Sequence, residues 1–449
     1  MSEPVPVPEP VPAPDLPAYD LLGVGLGPFG LSLAALADGV PGLDAVFLDQ
    51  RPSFSWHPGL LLEGATLQVP FLADLVTLVD PTSPWSYLAY LRARGRLFRF
   101  YLAERFQVPR AEYDDYLRWV AESLPTCRFG ERVDALAWDP ALRAFRVTVT
   151  TTATGARRTL AARSVVLGVG TEPVVPPAFA GLLGKRVVHA ADYLDARPAL
   201  IEAGSVTVVG SGQSGAEVFL DLLRAQRDTG SALRWTTRSP AFTPMEYSKL
   251  GLEHFTPDYT AYFSGLPAPT RDALLPAQWQ LYKGISAGTI AEVYDLLYER
   301  SVGGRPVDAV LQPCVAVEAA CAEGEGYLLS CRQVQQDRPF DVATDAVVLA
   351  TGYAPRRPVL LDPLLPLLDL DERGRYRVDA DHRVALDPGV DPVAGGGLFV
   401  QNAEAHTHGV GAPDLGLGAW RSATILSAVT GQRLVDVPQQ GAFTTFGAR

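Results

Sequence analysis

Two stretches of the chain share one pattern: a short continuous apolar run, a glycine-rich turn, then apolar positions recurring at helical spacing. The first reads YDLLGV, GLGPFG, LSLAALADGV from Tyr19; the second reads SVTVV, GSGQSG, AEVFLDLLRAQ from Ser205. Each predicts a buried strand that turns tightly into a helix. The apolar run AVFLD (45–49) predicts another strand, and a Pro- and Trp-rich stretch (52–85) then breaks the periodicity. Helical spacing returns in SPWSYLAYLRARG and AEYDDYLRWVAESL. From WDPALRAF the period becomes two, which predicts an antiparallel meander ending in a buried strand at Ser164–Val169, with GTEPVVPP as a linker. Beyond the second unit come an aromatic-rich insert (239–282), a helix over Thr289–Arg300, the alternating stretch VAVEAACAEGEGYLLSCRQV, and DAVVLATGYAP.

The two turns, about 185 residues apart, are dinucleotide fingerprints: Gly25, Gly27 and Gly30, then Gly210, Gly212 and Gly215. The first glycine permits the turn, the second lets the backbone approach a pyrophosphate, and the third lets helix pack on strand. Free N–H groups at the helix N-terminus, Gln213 and Ser214 in the second unit, then face the phosphates. Asp49 stands 19 positions after Gly30, where a ribose-binding acid belongs, and favours FAD or NAD. The strand after the second fingerprint leads to Arg238, which suits the 2′-phosphate of NADP; the alternative is a solvated loop cation.

The expected fold is therefore α/β, with two Rossmann-like dinucleotide-binding domains, for FAD and NADPH, and a small, mostly helical substrate-binding insert. Residues 1–18 form a disordered Pro-rich tail, 19–184 and 341–449 the FAD domain, and 185–340 the NADPH domain, with the insert at about 239–300.

A net charge of −12 in 449 residues argues against nucleic acid or an anionic membrane as a partner, so anionic cofactors depend on local dipoles and single arginines. The four cysteines form no CxxC pair, which fits a cytoplasmic location and weighs against a disulfide reductase. The N-terminus lacks the basic and apolar regions of a secretory signal, and Leu21–Ala37 is too short and too rich in glycine for a membrane span.

The segment FLDQRPSFSWHPGLLLEGATLQVPFLADLVTLVDPTSPWSYLAYL resembles the flavin-dependent N-hydroxylating monooxygenases of siderophore biosynthesis, which act on lysine, ornithine and diamines. The likeness continues through RLFRFYLAERFQVPRAEYDDYLRWV, ATGY and LFVQNAEAHTHGVGAPDLGLGAW. It implies that NADPH reduces FAD, that the flavin captures O₂ as a C4a-hydroperoxide, and that a neutral primary amine takes the distal oxygen. It also implies flavin-side roles for Trp56, His57 and Gln68, with Gln68 the catalytic candidate. Thr351, Gly352 and Tyr353 of ATGY, together with His408, Asp414 and Leu415, are further cofactor contacts. Read without the resemblance, Trp56 could be plain core. His406 and His408 are too sparse for a metal site, and none is expected.

Amino-acid hydroxylases of this family commonly carry a lysine and an asparagine that hold the substrate's α-carboxylate and α-amine; here those positions are Ala73 and Leu252. A buried carboxylate without its cation is costly. The expected substrate is therefore an aliphatic diamine, putrescine or cadaverine, with L-lysine or L-ornithine as the alternative. Glu253 is the expected acceptor for the remote ammonium, and Gly284 and Gly416 complete the expected pocket. Family likeness also implies a homo-oligomer, often tetrameric.

Two other readings compete. A sulfide- or ketone-oxidising flavin monooxygenase is disfavoured by the eight-step spacing from Gly181 to His189. A non-catalytic flavoprotein redox sensor is disfavoured by the presence of Gln68 and the Trp56-His57-Pro58 element.

Overall fold

A computed structural model describes residues 18–433 and 441–448. Nearly all of the expected Pro-rich tail lies outside the described residues; Ala18 already opens the first strand, Ala18–Val24. That strand sits centrally in a seven-stranded sheet, parallel to Ala45–Asp49 on one side and to Arg157–Leu167 on the other. Gly397–Val400 returns from the far end of the chain to pair with the C-terminal half of Arg157–Leu167. The N-terminal half of that long strand closes the meander with Glu131–Asp139 and Ala144–Thr151. A single strand thus serves both motifs.

The second domain is built on a five-stranded parallel sheet in the order Ala309–Gln312, Ala232–Thr236, Ser205–Val209, Ala346–Leu349, Val187–His189. The strand Ala346–Leu349 corrects the expected boundary: the second domain extends past residue 340, because this apolar run inserts between the strands at 187 and 205. A three-stranded antiparallel sheet, Val315–Glu323, Gly326–Gln333 and Arg338–Thr344, packs beside it.

The chain crosses between the domains twice. At the crossing the linker strand Glu172–Pro173 pairs antiparallel with Tyr353–Ala354 of ATGY. The expected insert divides in two. Helix Ala287–Ser301 presents Ile290, Val293, Leu296 and Leu297 to the core of the second domain. The helices Pro257–Ser264 and Ala268–Ala277 pack around a separate aromatic cluster that contains Tyr259 and Phe263. Phe263 touches the loop at Gly409, so this part of the insert leans on the first domain.

Candidate active site

Both fingerprints show the same division of labour. A Cβ on Gly25 would lie 2.4 Å from the Gly168 carbonyl oxygen, and one on Gly30 would lie 2.1 Å from the Gly25 oxygen. At Gly210 and Gly215 the matching distances are 2.2 Å to the Ala350 oxygen and 2.3 Å to the Gly210 oxygen. Gly27 and Gly212, by contrast, face open space. The helices that follow, Pro28–Ala37 and Gln213–Thr229, receive no side-chain cap, so the first-turn N–H groups from Phe29 in one and from Gln213 in the other are free for a phosphate. These features fit two dinucleotides.

The acid after the first fingerprint is fully engaged. Asp49 accepts from the Leu26 N–H at 2.8 Å, from the Arg51 N–H and Nε at 2.9 Å each, and from Arg51 Nη2 at 2.7 Å. Burial alone would raise its carboxyl, but Arg51 and the backbone donors hold it below its ordinary value. A ribose hydroxyl would have to displace one of these donors. Asp49 instead fixes Arg51, a residue that the sequence pattern did not single out, against the turn.

In the second fingerprint the Gln213 side chain is also committed. Its Nε2 donates to Glu217 at 2.9 Å and to Thr289 at 3.0 Å, while its Oε1 accepts from the Ser286 N–H at 2.7 Å. Its side chain therefore braces the helix at 287, and only its backbone remains for a phosphate. Ser211 and Thr237 share a 2.8 Å hydrogen bond beside the turn, and the next residue, Arg238, is exposed.

Between the domains, Tyr353 lies edge-on to two imidazoles, His57 at 5.7 Å and His189 at 5.3 Å. His189 accepts the Ala191 N–H on Nδ1, so its Nε2 carries the proton that it donates to the Gly352 carbonyl at 3.2 Å. Thr351 donates to the Val174 carbonyl of the other crossing strand. Trp56 meets His57 on one side and packs edge-on against Tyr113 at 5.4 Å on the other. His57 adopts a left-handed backbone, φ 48°, and is partly exposed. Desolvation by the surrounding protein and the Arg110 charge lower its pKa to about 4, so its imidazole is neutral. Arg110 spans the domains, donating to Glu217 at 2.8 and 2.9 Å and to the Leu60 carbonyl at 2.7 Å.

The loop carrying Gln68 and Ala73 is stiffened by Asp74. Its carboxylate accepts from the N–H groups of Val76, Thr77 and Tyr87. Gln68 Nε2 is buried without a hydrogen-bond partner, as expected of a donor awaiting a cofactor edge. Ala73 is buried, and a Cβ on Gly416 would sit 3.9 Å from Ala73 Cβ and 2.8 Å from Asp414 Oδ1. The structure thus brings Ala73, Asp414 and Gly416 together. Leu415 packs on the first core beside them. Gly284 is required by close approach, since a Cβ there would lie 2.7 Å from the Met245 nitrogen.

Glu253 departs from expectation. Its two oxygens accept the N–H groups of Phe443 and Thr444 at 2.9 Å, so it pins the C-terminal segment to the insert and is not free to receive an ammonium. Leu252 lies partly exposed on the short helix Lys249–Leu252.

Behind the loop of His406 and His408 is a buried charged group. His408 stacks on His382 at 4.3 Å, and Glu404 forms an ion pair with Arg421 at 3.1 Å and lies 3.4 Å from His382. Burial lowers His408 to about 3, which keeps it neutral. His406 meets the Tyr376 carbonyl at 2.8 Å. Among the described residues no group of three His, Cys, Asp or Glu is placed to hold a metal.

Comparison with known proteins agrees with this geometry. The L-lysine 6-monooxygenase/L-ornithine 5-monooxygenase family model matches residues 17–355. The Rhizobactin siderophore biosynthesis protein RhbE of Rhizobium meliloti is 43% identical over 96% of this chain and 95% of its own length. The putrescine N-hydroxylase of Shewanella oneidensis is 40% identical over 96% of this chain and 85% of its own. The crystal structure of DfoA bound to FAD, a cadaverine monooxygenase from Erwinia amylovora, superposes with a TM-score of 0.92 at 40% identity, covering 96% of this chain and 99% of that one. Two fingerprints of matching geometry and likeness along almost the whole described chain lead to one assignment: this protein belongs to the L-lysine 6-monooxygenase/L-ornithine 5-monooxygenase family.

Proposed function

We propose that this protein N-hydroxylates a terminal primary amine of an aliphatic diamine, putrescine or cadaverine, using FAD, NADPH and O₂, in the assembly of a hydroxamate siderophore. The observation that carries the diamine reading is the buried Ala73 beside Gly416, a small apolar wall where amino-acid hydroxylases of the family carry a lysine. A substrate carboxylate would find no cation at that position. The relatives named for putrescine and cadaverine, each 40% identical, support the same choice.

Bound FAD, reduced by NADPH, supplies the activated oxygen, and this chain's own residues arrange the encounter. The open faces of Gly27 and Gly212, with the free helix N-termini behind them, receive the two pyrophosphates. The buried Gln68 amide donates to the flavin edge, and Arg238 meets the 2′-phosphate of NADPH. Trp56, His57 and Tyr353 wall the junction of the domains and exclude water from the reacting centre. The attacking amine must be neutral, and desolvation at the junction walled by Trp56, His57 and Tyr353 favours loss of its proton.

A homo-oligomer and a cytoplasmic location belong to the same proposal. Helix Leu97–Ala103 buries no residue and exposes Phe98, Tyr101 and Leu102, a face suited to self-association, and all four cysteines are free. The reaction is tested by measuring oxygen uptake and hydroxylamine formation together. Diamine-stimulated uptake with stoichiometric hydroxylamine supports it; uptake that yields only hydrogen peroxide with every diamine refutes it.

A further inference from the structure

With Glu253 engaged by the C-terminal segment, the remote ammonium of a diamine needs another acceptor. We propose that Asp414 is that acceptor and selects diamines over both monoamines and amino acids, its Oδ2 facing the ammonium with the Tyr247 hydroxyl alongside. This deepens the diamine reading, rests on it, and replaces the cofactor contact that the family resemblance implied for Asp414.

Asp414 caps the short turn Leu415–Leu417 with Oδ1, which accepts the Gly416 N–H at 2.8 Å. Capping needs only one oxygen, and a carboxylate has acceptor capacity for about four hydrogen bonds. Asp414 forms no ion pair among the described residues. Arg421 is within electrostatic reach, but it is ion-paired with Glu404 at 3.1 Å and only its Nη2 is hydrogen-bonded, to the carbonyls of Gly411 and Ala412, while Nε and Nη1 have no hydrogen-bond partner. The other groups that sense Asp414 are the phenols of Tyr113 and Tyr247. Tyr113 already donates to the Ala73 carbonyl, whereas the Tyr247 hydroxyl is buried with no partner.

The result is a half-buried carboxylate without an ion pair, and desolvation raises its pKa to about 6 although the Gly416 and Leu417 N–H groups and the more distant Arg421 charge pull it down. A cation beside it would relieve that cost. The position matters as much as the charge, because Asp414 adjoins Gly416 and Ala73, where the family's amino-acid hydroxylases hold a substrate carboxylate with a lysine. Here the sign of the anchor is reversed. An ammonium is attracted, while the carboxylate of lysine or ornithine is set against a like charge.

The test compares cadaverine, n-pentylamine and L-lysine as substrates of the FAD-loaded full chain, scoring hydroxylated product. Asp414→Asn keeps the cap, since asparagine caps as well as aspartate. It is expected to lower the cadaverine-to-pentylamine ratio of kcat/KM by about tenfold to a hundredfold, the worth of a hydrogen bond to a charged group, mainly through KM. A ratio unchanged within about twofold, on the same scale, overturns the assignment. Flavin content, read from absorbance, checks the variant. If Asp414→Asn loses flavin, Ala73→Lys decides, since its ammonium can reach Asp414 and should raise the cadaverine KM; an unaltered KM overturns the proposal. Wild-type enzyme that hydroxylates no diamine removes the functional reading itself, whereas diamine turnover with an unaltered ratio removes only Asp414.

Discussion

The ion pair between Arg110 and Glu217 joins the two domains, and its removal should uncouple them. Arg110 begins the helix Arg110–Ser123 of the first domain, and Glu217 lies on the helix Gln213–Thr229 of the second. The pair is bidentate at 2.8 and 2.9 Å, with the two side chains 11% and 6% exposed, so solvent screens it little. Breaking a buried pair from one side costs about 3–5 kcal/mol because the other charge is stranded. Arg110 keeps the Leu60 carbonyl and Glu217 keeps Gln213, which lowers the expectation to about 2–3 kcal/mol for either Arg110→Ala or Glu217→Ala. The double variant strands no charge, so a double-mutant cycle in urea denaturation should return a coupling energy of about 2 kcal/mol. Flavin reduction by NADPH should slow in both single variants, since the pair aligns donor and acceptor domains. Additivity within about 0.5 kcal/mol would refute the reasoning.

Three further outcomes follow from local geometry. Gly27→Ala should fold with normal yield yet lose FAD, because its Cβ enters only open space, while Gly30→Ala should fail to accumulate because its Cβ meets the Gly25 carbonyl at 2.1 Å; flavin absorbance of the purified proteins separates the two. Arg238→Ala should raise the KM for NADPH and leave that for NADH unaltered, and an unchanged NADPH preference would remove the 2′-phosphate assignment. Asp414, raised to about 6, binds an ammonium only when ionised, so the diamine-to-monoamine ratio of kcat/KM should be level above about pH 7 and fall as the pH drops through about 6. Both amines lose reactivity through their own protonation, and the ratio cancels that effect. A flat ratio from pH 5 to 8 would contradict this assignment.

What could be read from the sequence was local. The glycine pattern specifies its own turn, so the backbone clashes at Gly25, Gly30, Gly210 and Gly215 fall where the spacing placed them. The meander and the parallel strands followed from apolar periodicity in the same way. The domain boundary at 340 was misplaced because a run such as AVVL reads alike whichever sheet it joins, and its neighbours lie more than a hundred residues earlier. Glu253 was misassigned for a related reason: its donors, Phe443 and Thr444, are near the other end of the chain. Asp49 and Gln213 sit in the expected motifs, but their side chains are held by Arg51, and by Ser286 and Thr289. Neither Arg110–Glu217 nor the His382, Glu404, His408 and Arg421 group had any sequence signature, since each depends on a long-range approach of ordinary residue types.

A pocket that accepts a substrate without a carboxylate is tested by the hydroxylated product formed from cadaverine, putrescine, L-lysine and L-ornithine under identical conditions. kcat/KM for one of the two diamines should lie at least about tenfold above that for either amino acid, the scale of a single unpaired charge in the pocket. Preferential hydroxylation of lysine or ornithine would contradict it.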